Sequence, residues 1–273
     1  MIVDVDTITR ILTETATSEV LPRFQALAEG EIREKAGGDL VTVADEQAET
    51  VLASRLRDMM PGSVVLGEEA AASDPDVIEY LAGEDPVWVI DPVDGTGNFA
   101  RGVEPFAVML ALVRHGETCA AWIHEPMSGR VTVATHGGGT WVNGYRISIP
   151  PSPTDTRSMQ GTLHAGTHGS RDLVRRLDKR RDRVGVQRSL RCAGAEYTRL
   201  ARGEQHFSVF TKLAPWDHAP GSLILTEAGG VARLSEGRDY SPLVRKAEAL
   251  LLAPGEESWA RLYELLLRRE AGE

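Results

Sequence analysis

Asp91 and Asp94 are two carboxylates three positions apart in the stretch Trp88-Val89-Ile90-Asp91-Pro92-Val93-Asp94-Gly95-Thr96-Gly97-Asn98-Phe99. An apolar run leads straight into the first acid, Pro92 ends a β ladder by removing a donor, and Gly95 and Gly97 permit a tight turn. Carboxylates this close repel unless something positive lies between them. A hard divalent cation that prefers oxygen ligands meets that need. The same residues also suit a solvated Asx-type turn, so this stretch alone leaves both readings open. Two further acidic spots bear on the choice. Glu68, in Gly67-Glu68-Glu69, follows the apolar run 64–66 and so sits at another strand end. Asp217, in Pro215-Trp216-Asp217-His218-Ala219-Pro220-Gly221, stands where a helix opens and would serve equally well as a cap.

The periodicity shows which elements carry these groups. Val5, Ile8, Leu12, Ala16, Val20, Phe24 and Leu27 recur at three- and four-residue steps and predict a helix over 5–28. A second helix is expected over 42–60, with Thr42 as N-cap, a stripe through Ala48, Val51, Leu52, Leu56 and Met59, and Pro61-Gly62 as the stop. Gly37-Gly38 marks a turn between the two. Short β-rich runs follow at 64–66, 87–90, 106–113, 118–124 and 130–134, and short connections imply antiparallel pairing. Pro150-Pro151-Ser152-Pro153 is the clearest boundary. Beyond it strands (161–164, 184–188, 206–210, near 249–252) alternate with helices (171–182, 194–202, 216–228, near 257–269), as in α/β layering. The division expected is 1–150, with most of the acidic ligands, and 151–273, with Asp217 and the residues that select substrate. The basic segment 175–191 reads as a solvated amphipathic helix backed by Leu173, Val174 and Leu177, or else as a steering or subunit-contact surface.

The composition narrows the function classes. The chain has 273 residues, 30 Lys and Arg against 40 Asp and Glu, and a net charge of −10. Its length suffices for a large core without disulfide or metal. The acidic balance argues against a nucleic-acid or membrane-surface binder, and no apolar run reaches bilayer length. The acidic N-terminal residues show no secretory leader, and Cys119 and Cys192 stand far apart, so free thiols in the cytoplasm are expected.

In their order, Gly67-Glu68-Glu69, Asp91-Pro92-Val93-Asp94-Gly95-Thr96 and Trp216-Asp217-x-Ala219-x-Gly221 closely resemble the inositol monophosphatase family of Mg²⁺-dependent, lithium-sensitive phosphomonoesterases. Lys35, Asp39-Leu40-Val41-Thr42-Val43-Ala44-Asp45 and Thr226-Glu227-Ala228-Gly229-Gly230 extend the likeness almost end to end. The resemblance implies an α/β fold, a layered α+β sandwich with helices on an antiparallel sheet and then a mixed sheet flanked by helices. It also implies a homodimer and two or three Mg²⁺ ions. It makes Glu68, Asp91 and the Val93 carbonyl ligands of a first ion, and Asp91, Asp94 and Asp217 ligands of a second, with a third, looser ion leaning on Glu68. Thr96 with Glu68 would orient the attacking water, and Asp45 would accept a hydrogen bond from Thr96. Gly95 and Thr96 would meet phosphate oxygens through backbone N–H groups.

The alcohol-contacting segment of the family corresponds to Gly194-Ala195-Glu196, where Ala195 lacks a hydroxyl and Glu196 replaces a small residue. Phe210 stands where inositol-selective members carry a glutamate. Glu196 could substitute for that glutamate, pair with a cationic leaving group, or simply be a helix-N-terminal acid. Lys212 could meet a second phosphate or be a loop lysine. His164 and His168, flanking Gly166, are expected near the alcohol, as catalysts or as loop polar groups. The expected substrate is a small phosphomonoester of the inositol-1-phosphate kind, with histidinol phosphate, fructose 1,6-bisphosphate and 3′-phosphoadenosine 5′-phosphate as alternatives. A non-catalytic, metabolite-sensing member would have lost a metal carboxylate or Thr96, and this chain keeps both. An aspartyl-nucleophile phosphatase would need Asp-x-Asp after the first strand of a doubly wound sheet.

Overall fold

A computed structural model describes residues 3–35, 38–164, 169–244 and 246–269. The chain begins with α1 (Val5–Thr15), the hairpin β1 (Ile32–Glu34) and β2 (Leu40–Thr42), and α2 (Val43–Met59). It continues through β3 (Val64–Gly67), α3 (Glu68–Ser73), β4 (Val87–Asp94), α4 (Thr96–Phe99), β5 (Ala107–Arg114), β6 (Glu117–Glu125), β7 (Arg130–Thr135), β8 (Gly139–Val142) and β9 (Tyr145–Ile147). Then come β10 (Gln160–His164), α5 (Arg171–Arg180), β11 (Gly185–Val186), α6 (Ala193–Ala201), β12 (Phe207–Phe210), α7 (Pro215–Glu227), β13 (Val231–Leu234), β14 (Leu250–Ala253) and α8 (Glu256–Leu262).

Among the described residues β3 to β9 form one sheet in sequence order, and a second sheet has the order β11-β10-β12-β14-β13. The layers follow from which side chains are buried together. Ile8 and Leu12 of α1 and Leu52 and Leu56 of α2 pack with Trp88, Ile90, Leu110 and Trp122 on one face of the first sheet. The alternate residues Met109, Ala121 and Ile123 face the other way, onto Tyr197 and Leu200 of α6 and Ile224 and Leu225 of α7. Leu250 and Leu252 of the second sheet join that same cluster. The outer face of the second sheet, with Phe207, Val209 and Leu251, is covered by Leu173 and Leu177 of α5 and Trp259 and Leu262 of α8. The result is a five-layer sandwich with α6 and α7 buried between two sheets. Strands covered on both faces read as continuous apolar runs, which is why 106–113 is so easily seen in the sequence.

Several expectations need correction. The first helix does not run to residue 28. It passes through a π turn at Ala16–Val20 and a 3₁₀ turn at Leu21–Arg23, and Phe24 is extended. Pro22 has no N–H for the helical ladder, so the repeat cannot continue. β3 and β4 pair parallel, because the connection between them is long enough to hold α3 and the 3₁₀ helix Pro75–Ala82. β8 and β9 went unread, although Asn143 (φ +46°) and Gly144 (φ +81°) form the two-residue turn that Asn-Gly signals. β13 also escaped notice. Gly37, Gly166 and His168 lie outside the described residues.

The corner at Gly67 shows how tightly the site is built. Glu49, one turn along α2 from Asp45, accepts from Glu69 N (2.8 Å) and Ala70 N (2.9 Å) and so caps α3. A Cβ on Gly67 would overlap that carboxylate. Gly67→Ala is therefore expected to cost about 1–3 kcal/mol, measured as a lower denaturation midpoint. Combined with Glu49→Ala, it should cost less than the two single losses added together, because the clash and the cap involve one carboxylate.

Candidate active site

β4 delivers the first carboxylates. All eight of its residues are buried. Its ladder with β5 runs to the pair Asp91–Met109, breaks, and resumes at Asp94–Ala107. Pro92 has no N–H to contribute, so the break falls where the sequence requires it. Gly95 then turns left-handed (φ +86°) and α4 begins. A Cβ there would meet Pro105 O at 3.0 Å and Arg191 O at 3.3 Å, so both conformation and space select glycine.

Asp217 comes from the first turn of α7, which has Pro215 at its start and no side-chain cap. Rather than capping, Asp217 joins Asp91 and Asp94, and one carboxylate oxygen from each lies within 4.8 Å of the others. Burial, reinforced by Glu68 and Asp94, pushes Asp217 up to about 8. Burial, then Glu68, Asp94 and Asp217, raises Asp91 well above the carboxylate range. Asp91 Oδ1 is buried without a hydrogen-bond partner. An orphaned acceptor among mutually repelling oxygens is what a hard cation satisfies, so these residues fit a divalent ion with oxygen ligands.

Asp94 is anchored on its far side. It accepts from Ala193 N (3.0 Å), Gly194 N (2.6 Å) and Cys192 Sγ (3.0 Å) at the opening of α6. Burial still raises its pKa, with those donors pulling the other way. Glu68 opens α3 and lines the same cavity, but Lys35 Nζ holds it at 2.9 Å and holds Glu69 at 2.7 Å. Burial works against the charge of Lys35, yet the two glutamates outweigh it and leave its pKa above the ordinary lysine value.

Thr96 Oγ1 lies 3.1 Å from Asp45 Oδ1 and 2.9 Å from the Val93 carbonyl. Asp45 Oδ2 accepts from Thr42 N (2.8 Å) and Thr42 Oγ1 (2.6 Å), half of the capping box that starts α2. Burial lifts Asp45 to about 7 against those donors. One carboxylate thus starts a helix and faces Thr96.

The cavity these groups line holds about 350 Å³ and also takes in Asp39, Arg101, Arg191 and Lys212. Lys212 Nζ donates to Asp39 Oδ2 at 2.6 Å. The sequence reading missed Arg101 and Arg191. Their only signal was adjacency to the two motifs that flank the site.

Three expected substrate contacts are not brought to this cavity. Glu196 is fully buried. It accepts from Thr162 Oγ1, Ser208 Oγ and Leu190 N and pairs with His164 Nε2 at 2.7 Å. Burial alone would raise its pKa, but His164 and the other donors bring it below the usual value. Phe210 is stacked between His164 (centroids 4.5 Å apart) and Tyr197 (6.0 Å). Ala195 lines a different cavity, beside Glu125 and Arg199. Gly194, by contrast, touches the site through its N–H.

The sequence profile of the inositol monophosphatase family matches residues 4–269. The chain is 34% identical to an inositol-1-monophosphatase of Mesorhizobium japonicum over 75% of this chain and 76% of that one. It is 28% identical to a fructose-1,6-bisphosphatase/inositol-1-monophosphatase of Thermotoga maritima over 74% and 73%. A solved inositol monophosphatase of Thermotoga maritima shares the fold, with a TM-score of 0.76 at 24% identity, covering 95% of this chain and 96% of that one. A match that spans nearly every described residue, over a fold of the same layers and a cluster of buried acids at the end of β4, leaves one assignment: the chain belongs to the inositol monophosphatase family and is a phosphomonoester hydrolase.

Proposed function

We propose that this hydrolase cleaves small phosphomonoesters of the inositol-1-phosphate kind by attack of water, with Mg²⁺ as cofactor in two or three positions. The observation that carries the reading is the trio Asp91, Asp94 and Asp217, the first two buried and the third half-buried, with Asp91 Oδ1 unpartnered. Glu68, Asp91 and the Val93 carbonyl would hold one ion, and Asp91, Asp94 and Asp217 another. Bound there, divalent cations neutralise an ester dianion and lower the pKa of water. Thr96 Oγ1 directs its proton toward Asp45 or Val93 O, which leaves its lone pairs to accept from the attacking water, and Glu68 orients that water from the other side. The N–H groups of Gly95 and Thr96, at the start of α4, are placed for phosphate oxygens. Lys212, steadied by Asp39, faces the same anion.

Substrate selection is assigned to the 190–196 segment, with Gly194 over Asp94. Ala195, Glu196 and Phe210 act at one remove, by fixing α6 and His164. Relatives named for inositol-1-phosphate and fructose 1,6-bisphosphate support that substrate range. A cytoplasmic homodimer completes the proposal. Two free cysteines, one of them buried, support a reducing compartment. No helix among the described residues is long and apolar enough to cross a membrane.

Phosphate release from inositol 1-phosphate is expected to require Mg²⁺ and to be inhibited by lithium; full turnover in excess EDTA would sink the assignment. Asp217→Asn and Asp94→Asn should each lower kcat by roughly a hundredfold or more while the circular dichroism spectrum is retained. Near-normal turnover in either variant removes that residue from the ligand set. A stability profile provides a third check. Asp45 and Glu49 titrate at about 7 and Asp217 at about 8 when folded, against roughly 4 when unfolded. The folded chain therefore holds protons that the unfolded chain has lost, and without divalent ions its stability should fall as pH rises from about 4 to about 8. Mg²⁺ should raise Tm more at pH 8 than at pH 5, because it binds the deprotonated carboxylates. An equal shift at both values would contradict this.

A further inference from the structure

His218 follows Asp217 on the first turn of α7 and is buried. Its ring stands edge to face against Phe210 (centroids 4.9 Å apart), Tyr197 (5.9 Å) and Tyr240 (6.0 Å), so aromatic neighbours fix its plane. Nε2 lies 2.8 Å from the Lys212 carbonyl, and Nδ1 lies 3.0 Å from Tyr197 Oη. A carbonyl can only accept, so Nε2 carries the proton. Burial holds the imidazole far below its ordinary pKa, at about 4, so the neutral ring accepts at Nδ1 from the tyrosine hydroxyl. Tyr197 Oη also lies 3.2 Å from Ser222 Oγ, one turn further along α7. Both ring nitrogens are thus engaged, in a single orientation.

Packing alone does not account for a histidine here. An apolar side chain of similar shape would fill the same aromatic surroundings with no polar groups to satisfy. What the imidazole adds is a donor for one main-chain carbonyl, in the connection from β12 to α7. Thr211 Oγ1, one residue earlier, donates to the His164 carbonyl at 2.8 Å. The two bonds tether the connection on either side of the Lys212 Cα. From there the lysine side chain reaches the catalytic cavity, where Nζ meets Asp39 Oδ2 at 2.6 Å. Burial opposes its charge, but Asp39, Asp217 and Glu68 outweigh burial and leave its pKa above the ordinary lysine value. Successive residues of α7 therefore do different things. Asp217 joins the acids, and His218 holds the segment that presents a cation to the same cavity.

We propose that His218 is a positioning residue for the hydrolase reaction: by holding the Lys212 carbonyl it sets the lysine side chain in the cavity, and so acts on binding of the phosphate group rather than on its cleavage. The inference rests on the phosphomonoester-hydrolase reading and on the place given there to Lys212. A contact made equally in the bound and transition states changes KM and leaves kcat.

The test is a double-mutant cycle on Lys212→Met and His218→Phe, with inositol 1-phosphate and Mg²⁺, read as kcat, KM and the Mg²⁺ activation constant. Lys212→Met is expected to raise KM roughly tenfold and His218→Phe about fivefold, each with kcat within about twofold of wild type. His218→Gln, whose amide can donate to the carbonyl and accept from Tyr197, should keep KM within about twofold. In the Lys212→Met background, His218→Phe should raise KM no further. The same fold-rise with and without the lysine would overturn the proposal, as would an unchanged KM in either single variant. A loss confined to kcat or to the Mg²⁺ constant would overturn it too, since His218 would then act through Asp217. If His218→Phe does not fold, Tyr197→Phe, which removes only the hydroxyl at Nδ1, takes its place in the cycle under the same criteria. If the wild type releases no phosphate, the hydrolase reading has failed separately, and the cycle is read instead as the dissociation constant of inorganic phosphate, measured by calorimetry with Mg²⁺. A weakening by His218→Phe that disappears without Lys212 upholds the positioning role, and equal binding with and without His218 rejects it.

Discussion

Like charges confined in a low-dielectric pocket are the constraint on which the rest of this molecule depends. Two carboxylates about 5 Å apart repel by roughly 3 kcal/mol at an effective dielectric constant of about 20, and this site gathers three. Chain left to itself would splay them into water. Each is instead held by something that cannot move independently: Asp91 by a fully buried strand, Asp94 by the opening N–H groups of α6, and Asp217 by a proline-started helix between two sheets. The five layers serve as a clamp. Because α6 and α7 are packed on both sides, neither Asp94's anchor nor Asp217 can retreat without opening a core shared by the two sheets.

The hydrogen-bonding arrangement around the clamp is economical. Asp45 closes a capping box and faces Thr96, and Glu49, one turn on, caps the helix that begins with Glu68. The same helix, α2, therefore sets both the threonine and the glutamate corner. This links local helix chemistry to the reactive centre directly. A residue that looks like a capping device in the sequence is also a partner of the site, and its burial explains why it holds its proton to near neutrality.

Much of this was legible beforehand, for physical reasons that differ from residue to residue. The acids at 68, 91, 94 and 217 were readable because strand ends and helix starts leave a sequence trace. Thr42 was readable because capping chemistry is local. The end of α1 was misread because a good apolar stripe masked Pro22, and β8 and β9 were missed because Asn143-Gly144 was not weighed as a turn. Glu196 and Phe210 could not have been placed from spacing alone. Each is two residues from one that touches the site, Gly194 or Lys212, but whether it turns toward the cavity or into the core is decided by partners such as Thr162, Ser208, His164 and Tyr197, which lie a dozen or more residues away. Arg101 and Arg191 were invisible for the same reason, since they line one cavity only in the fold, where Asn98 bonds to Pro105 O and Leu190 O and so joins the two segments.

Lys35 gives the site one more property. Its ammonium already bridges Glu68 and Glu69, at 2.9 and 2.7 Å. In the role proposed for Glu68, a mobile cation would gain it only by exchange with a tethered one. On losing Glu68, the lysine keeps Glu69 as its counter-ion and need not enter solvent alone. Occupancy at that corner becomes a contest between a resident charge that cannot diffuse away and visiting charges whose success depends on their concentration.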